Sequence, residues 1–569
     1  MNSIPPERPT PRAKSPTLHA SLVILAVVIG VAGMVAWAAR SPLNDDPDMH
    51  LGLLPPQDGM AESVDRVNGY FENRWQEVDI SPAPPADDRT VLRRLALALH
   101  GTVPSLEEIR RFEADAEPER LQRWTARLLA DVRFADYFAA RLGRVFVGAE
   151  DGQFIIFRRD RFTQWLSEQL HENRPFDEVV REMISQVGIW TDKPAANFIT
   201  AAYANDVLDV NALTGRTVRS FLGQRIDCAQ CHDHPFDNWK QSHYEGLAAF
   251  YGQTTRSITG ITDDDTMKYT VQDTKTLNDR EIAPQVPFHA EWLPAEGTRR
   301  EQLAAWVTHP ENRRFERAIA NRVWGLMFGK PWYDPVDGIP DPEDDGTPDL
   351  LDVLGEDFRA HGYDLRRLIH VIAASRPFLL ASSVDVIEPA GNSVSASMST
   401  ADSSDEVTLI ESEWGVFPLT RLRPEQIIGS MLQAGNVKTI DQNSHLFTRA
   451  IRFFRERDFI REYGDLGDAE LEERAGTIPQ ALLRMNSQFA KDATEATPFG
   501  AVGRIASMAS TDEKCVETCY LVCLTRPPTA DERDYFLSQL REVSGDDRTA
   551  VVEDMVWTLF NSPEFSWNH

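Results

Sequence analysis

The sequence predicts a mainly α protein, a multi-helix two-domain exported region behind one N-terminal transmembrane helix. Three observations carry this prediction. An uncharged apolar run fills residues 22–39. Apolar residues then recur at helical spacing from 64 to about 251 and again from 299 onward, and few stretches alternate as strands do. A polar, threonine-rich stretch at 256–295, containing Asp263-Asp264-Asp265, separates the two helical regions. At 569 residues the chain is also too long for one ordinary core.

The apolar run comes first. Leu22 to Ala39 carries no charge, and Leu18 to Ala20 extend it to about 20 residues, enough to cross a bilayer core. Arg8, Arg12 and Lys14 precede it, whereas Arg40 is followed by Asp45, Asp46 and Asp48. The positive-inside bias therefore leaves the N-terminus in the cytoplasm and exports everything after Ser41. The expected location is the inner (cytoplasmic) membrane, single pass, with the body in the periplasm or outside. A cleaved signal peptide cut after Ala36-Trp37-Ala38 is the alternative, and it places the body in the same compartment. The expected divisions are a cytoplasmic tail at 1–17, the anchor at 18–39 and a tether at 40–60. A helical domain at 61–255, a linker at 256–295 and a second helical domain at 296–569 follow. Within the last, 384–408 is rich in Ser and Asp without a period and reads as a surface excursion.

Within the body, Val64 to Trp75 has the pattern of an amphipathic helix, and Leu92, Leu95, Ala96 and Leu99 share one face of another. Pro104-Ser105-Leu106-Glu107-Glu108 reads as a fresh helix start, and Leu121 to Phe138 keeps one 3.6-residue period. Helices are expected over Arg299 to Thr308 and Arg314 to Phe328. After a turn-rich segment from Lys330 to Asp349, another is expected with Thr347 as cap and Pro348 in its first turn. Three segments end alike, at Asp131-Val132-Arg133-Phe134, Ser375-Arg376-Pro377-Phe378 and Ser562-Pro563-Glu564-Phe565. Arg94 to Glu108 and Cys519 to Glu532 echo each other too, which suggests a reused two-helix unit.

Charge and cysteines narrow the chemistry. Lys and Arg number 59 against 88 Asp and Glu, a formal charge of -29, so the body repels phosphate backbones and nucleic acid is not an expected partner. Five cysteines are an odd count for an exported protein. Cys515, Cys519 and Cys523 recur every four residues on a helical stretch, where neighbouring Cβ atoms stand about 6 Å apart, too far for a disulfide, so they read as small buried apolar residues. Cys228 and Cys231 remain.

Those two belong to Cys228-Ala229-Gln230-Cys231-His232-Asp233-His234. Two thiols two residues apart, followed at once by histidine, have the spacing of covalent haem attachment: Cys228 and Cys231 add to the vinyl groups and His232 reaches the iron. Haem c is thus one expected cofactor. The same segment admits zinc, held by Cys228, Cys231, His234 and His243, with Asp233 or Asp237 orienting an imidazole. A plain Cys228–Cys231 disulfide is a third reading. The expected partners are the membrane, through the N-terminal helix, and an extracytoplasmic protein or redox partner.

The stretch from Phe221 through the cysteine cluster to Tyr251 resembles the end of the domain-of-unknown-function family 1549. Arg93-Arg94-Leu95 with Gly101-Thr102-Val103-Pro104-Ser105 resembles its opening, and Asn173-Arg174-Pro175-Phe176-Asp177 and Pro194 to Phe198 its middle. Downstream, Asn321-Arg322-Val323-Trp324, Pro335-Val336-Asp337, Ile478 to Leu482 and Arg526-Pro527-Pro528-Thr529 are similar to its companion, family 1553. The resemblance implies an exported protein of planctomycete type, from a group with no settled activity that often accompanies cytochrome-c-type domains. Three functions are therefore in play: electron transfer through haem, a helical scaffold or accessory role with structural zinc or a disulfide, and hydrolysis of extracellular polysaccharide. No catalytic residue is assigned.

Two further motifs read as structure. Asp341, Glu343, Asp345, Gly346 and Asp352 fall at calcium-loop offsets, but Pro348 stands where that loop needs an apolar residue. Val323 and Trp324 belong to a core face, with Arg322 expected to pair with a carboxylate.

Overall fold

The computed structural model describes residues 59–148, 157–204, 207–272, 278–342, 348–383, 407–436, 438–440, 471, 477–497 and 500–569. The expected anchor at 18–39, the tether up to 58, and all but the last two residues of the 384–408 excursion lie outside these residues. Among the described residues no helix is long and apolar enough to cross a membrane.

The described body is mainly helical, in line with the period of its apolar residues. The first expected helix runs Met60–Glu77 and buries Val67, Phe71 and Trp75. The second runs Asp88–His100 and closes on Gly101, whose φ of 67° a side chain would resist; a Cβ there would also meet the Tyr137 ring at 2.3 Å. Ser105 then opens Leu106–Ala114 through a capping box with Glu108. The 3.6-residue period of Leu121 to Phe138 spans two helices, Arg120–Ala130 and Val132–Val147, which meet at the echoed segment end. Asp131 divides them because its extended backbone and side chain cap the second, although the apolar period runs on across it. One expectation needs correction, the position of a cap. The helix after the turn-rich segment is Leu350–Ala360, capped by Asp349 through a box with Asp352, with Pro348 ahead of it and not inside it. Arg299–Val307 and Arg313–Phe328 lie where expected.

The echoed segments share one geometry. At Asp131, Ser375 and Ser562 the amide donates to the carbonyl three residues back (3.3, 3.2 and 3.1 Å), and the phenylalanine three residues on is fully buried each time. Gly101 and Thr525 both take the left-handed conformation, and both are followed four residues later by a capping box, Ser105 with Glu108 and Thr529 with Glu532.

Strands are short antiparallel pairs. Tyr203–Ala204 pairs with Val207–Leu208, and Trp567–Asn568 with Thr420–Arg421. The polar stretch at 256–295 holds the rest: Thr254–Ser257 with Gly260–Asp263, and Thr270–Gln272 with Asp279–Glu281. Asp263 of that stretch accepts from Arg300 at 2.8 and 2.9 Å, a guanidinium that is itself fully buried.

Among the described residues two hydrophobic cores form, and neither keeps to one half of the chain. The larger draws on residues from Val67 to Leu471 and centres on aromatics such as Phe71, Trp324, Phe328 and Trp414. The smaller packs Leu92, Leu97, Val103, Ile109, Phe112 and Trp124 against 422–565, including Cys515, Cys519 and Cys523, which are buried and free as expected. Arg93 and Arg94 cross between the halves. Arg93 donates to Cys523 O (3.1 Å) and Phe565 O (3.4 Å), and Arg94 to Phe378 O, Leu380 O and the main-chain oxygen of His569 at 2.7–2.8 Å.

Candidate functional site

The cysteine segment starts from a fixed platform. The Val210–Leu222 helix ends at Gly223, whose carbonyl accepts from Ile339 N (3.0 Å). Next, the Gln224 amide donates to Asp341 (2.5 Å) and accepts from the Trp239 indole (3.1 Å), and Arg225 pairs with Asp337 at 2.6 Å. Asp337 and Asp341 sit on the turn-rich segment after 330, itself held by Asn321, whose side chain donates to Tyr333 O and Val336 O at 3.0 Å and accepts from Tyr333 N. Asn321 is therefore a structural bracket, and Val323 and Trp324 are core as expected, with Arg322 buried beside them.

From this platform a single helical turn begins, Asp227–Gln230. Its Ala229 is buried, while the amides of Cys231 and His232 both donate to Cys228 O, at 3.3 and 3.4 Å. The turn is of 3-10 type, with three residues per turn, so positions i and i+3 lie on one side. Cys228 and Cys231 therefore start from one side, His232 follows just beyond the turn, and all three are exposed, the thiols free. The loop returns through His234 N donating to Trp239 O (2.7 Å) and Asp233 Oδ1 accepting from Gln241 N (2.9 Å), which fastens it to the Gln241–Tyr251 helix. Trp239 is buried, and Phe236 at the loop tip is 94 % exposed.

Hydrogen bonding separates the three histidines. His232 Nδ1 faces the Asp233 carbonyl at 2.8 Å and so carries the proton, which leaves the Nε2 lone pair free to bind; no hydrogen bond engages it among the described residues. His234 Nδ1 accepts weakly from Phe236 N (3.4 Å) and His243 Nδ1 from Lys240 N (3.3 Å), so in the neutral ring each bears its proton on Nε2. Burial, then the Lys240 charge, pull the His243 pKa below its ordinary value, against Asp233. His243 stacks edge-on to Trp239 with centroids 6.2 Å apart and helps open its helix. Among the described residues no three of His, Cys, Asp and Glu gather as a metal cage. The expected zinc ligands Cys228, Cys231, His234 and His243 thus share one loop and helix start without converging. Of the calcium-loop positions, Glu343, Asp345 and Gly346 lie outside the described residues. Asp341 is paired with Arg314 at 2.8 Å, and Asp352 with Arg313 and Arg317 at 2.6 and 2.7 Å.

A cavity of about 620 Å³ opens beside this face. Cys231 and Gln230 form one edge, and Asp209, Tyr244, Glu245 and Tyr269 line it. Tyr244 donates to Asn211 O (2.9 Å), and Glu245 is held by Arg280 at 2.7 and 2.8 Å. Burial first, then Asp227, Tyr269 and Asp209, push the Tyr244 pKa up; burial, Glu245 and Asp209 do the same for Tyr269. None of these four residues was singled out in the sequence. Asp209 is legible as a helix cap (Ala212 N, 2.9 Å), but nothing in one sequence ties it to Tyr269, sixty positions on.

Residues 66–256 match the family model PSCyt2, a protein of unknown function (DUF1549), and residues 299–540 match PSD1, a protein of unknown function (DUF1553). The chain carries the DUF1549–DUF1553 pair. Searches of curated proteins and of solved structures each found no match. The cysteine segment lies near the end of the DUF1549 region, yet its platform is completed by Asp337 and Asp341 of DUF1553. The Asp546–Asn561 helix falls beyond the DUF1553 match and still packs into the smaller core.

Proposed function

We propose that this is a membrane-tethered, extracytoplasmic protein that binds a c-type haem through Cys228, Cys231 and His232 and passes electrons to a redox partner. The observation that supports the reading is the single 3-10 turn that sets two exposed free thiols on one side with an exposed imidazole next in the chain, its His232 Nδ1–H held by Asp233 O. Such a donor set matches two thioether bonds and one axial nitrogen. When bound, the haem would supply one-electron chemistry. The chain's own contribution is to hold Cys228 and Cys231 one turn apart, to keep the His232 proton on Nδ1, and to brace the segment through Gln224, Arg225 and Trp239. The extracytoplasmic placement rests on the apolar run at 22–39 and the charges on either side of it.

Full-length protein from a host that matures c-type cytochromes tests this. The expected result is a haem absorbance band that survives acid–acetone extraction and is lost in Cys228→Ser/Cys231→Ser. Protein from the same host with no extraction-resistant band would end the haem reading.

The scaffold reading follows in that event, with Cys228 and Cys231 closing on each other. Both thiols are exposed and belong to no metal cage among the described residues, which favours this over zinc. Thiol counting before and after reduction distinguishes it.

A further inference from the structure

We infer that the hairpin tip at Ile258, with Val187 and Ile189 beside it, rests in the interface of a bilayer of zwitterionic lipid. Thr254–Ser257 and Gly260–Asp263 form the hairpin, and Gly188 adds a third strand position. The Gly188 amide donates to Ile261 O (2.8 Å) and its carbonyl accepts from Ile261 N (2.9 Å). Side chains alternate across such a sheet. Ile261 faces inward and is fully buried, and Arg256, paired opposite it, turns the same way, over the Tyr203 ring at 5.7 Å. The flanking positions therefore face out: Val187 and Ile189, both exposed, and Thr255 with Thr262, whose hydroxyls bond to each other at 3.1 Å. Ile258 stands at the tip, 98 % exposed.

Three large aliphatic side chains thus border an outer face that holds no charge. In a chain with 88 acidic residues, 186–191 and 254–262 contain none, and their single cation, Arg256, points inward. A chain with a formal charge of -29 is driven off anionic lipid, and a carboxylate-free face is where it can approach a zwitterionic surface. The Thr255 and Thr262 hydroxyls are turned to each other, so the face offers a protein partner no charged group to recognise. The inference rests on the membrane tether proposed above and not on the haem. Residues 40–58 join the expected anchor to the described body, and a segment of that length reaches at most about 65 Å fully extended. A body held that close meets the bilayer at high effective concentration, so a contact too weak to recruit a free protein suffices to orient this one.

Full-length protein reconstituted through its anchor into phosphatidylcholine vesicles with brominated acyl chains tests this. Ile258→Trp adds an indole at the tip, and its quenching in excess of wild type reads lipid contact. Tyr535→Trp adds one at an exposed site on the Ala530–Leu540 helix. The bromines are expected to quench the indole at 258 and not that at 535. Val187→Asp in the Ile258→Trp protein puts a carboxylate on the outer face and is expected to abolish the quenching with the unfolding midpoint unchanged. Equal quenching at 258 and 535, or quenching that survives Val187→Asp, would overturn the assignment. So would emission from 258 that moves to shorter wavelength as protein density rises, without quenching, which marks a second copy of the chain as the occupant. Protein that fails to float with the vesicles would remove the tether as well, which tells the two failures apart.

Discussion

Replacing Arg94 with Met tests whether the two family regions are locked together by buried cation-to-carbonyl bonds. The guanidinium is fully buried, donates Nε to the main-chain oxygen of His569 (2.8 Å) and Nη1 to Phe378 O and Leu380 O (2.8 and 2.7 Å), and lies 3.7 Å from the Phe417 ring centroid. No carboxylate side chain pairs with it among the described residues, and burial pulls its pKa down to about 9, so the charge is costly where it sits. Met fills a similar volume and removes that cost, but it orphans two buried main-chain oxygens, at about 1–3 kcal/mol each, and the part-buried one of His569. With the relieved desolvation set against this, a net loss of about 3 kcal/mol is expected. Urea unfolding of the full chain, followed by tryptophan fluorescence, reads the midpoint. Arg66→Met is the control, because the Arg66–Glu356 pair is 44 and 55 % exposed and worth less than about 1 kcal/mol. A midpoint for Arg94→Met no lower than for Arg66→Met would refute the clamp.

Thr525→Gly is expected to stabilise by about 1 kcal/mol, since it relieves a left-handed backbone at φ 61° and removes a buried hydroxyl without a hydrogen-bond partner. The echoed position answers oppositely: Gly101→Ala would drive a methyl into the Tyr137 ring, and a fall in midpoint is expected, so equal responses at the two sites would argue against the shared geometry. Acid should act in two stages. Burial, then Arg133, lower His100 to about 4, so the neutral ring's contribution is complete above its unfolded pKa of about 6.5 and is lost as pH falls from there to 4. Glu425 is held at about 2 by Arg141 and Arg144 against the opposing effect of burial, so its contribution, about 3 kcal/mol, is lost as pH falls from about 4.5 to 2. Glu425→Gln should shrink the lower stage, to which Asp131 and Glu532 also contribute, and retain the upper, as read from urea midpoints against pH. Finally, 59–298 expressed alone should show no cooperative unfolding, because Leu92, Leu97, Ile109 and Phe112 lose their cover, and co-expression with 299–569 should restore it; a sharp transition in the isolated segment would contradict this.

These predictions turn on what one sequence can and cannot carry. A helix face is a local pattern, so Met60–Glu77, Arg299–Val307 and Arg313–Phe328 were legible from their apolar periods. The cysteine segment was legible for the same reason, since its donors fall within five positions. The break at Asp131 was legible only from its echo of the Ser375 and Ser562 segments: the apolar period continues through it, and what decides it is a cap bond that competes with helix propagation. Asp349 displaced Thr347 as cap because Asp352 could complete its box. Arg93-Arg94 stood out as family residues, but their role depends on carbonyls about 280 to 475 positions away, and a carbonyl leaves no trace in side-chain identity.

The same limit explains why the cavity went unseen while the thiols beside it did not. Asp209, Tyr244 and Tyr269 come from a helix cap, a helix interior and the approach to a hairpin, and each has an ordinary local reason to be where it is. Only the packing of the Val210–Leu222 and Gln241–Tyr251 helices with that hairpin brings them to Cys231. The platform beneath the turn is likewise assembled from both family regions, through Gln224 with Asp341 and Arg225 with Asp337. If those bonds orient the segment, then loosening DUF1553 should disturb Cys228, Cys231 and His232 without touching them. The pairing of the two regions on one chain would then be a condition of the site and not merely of stability.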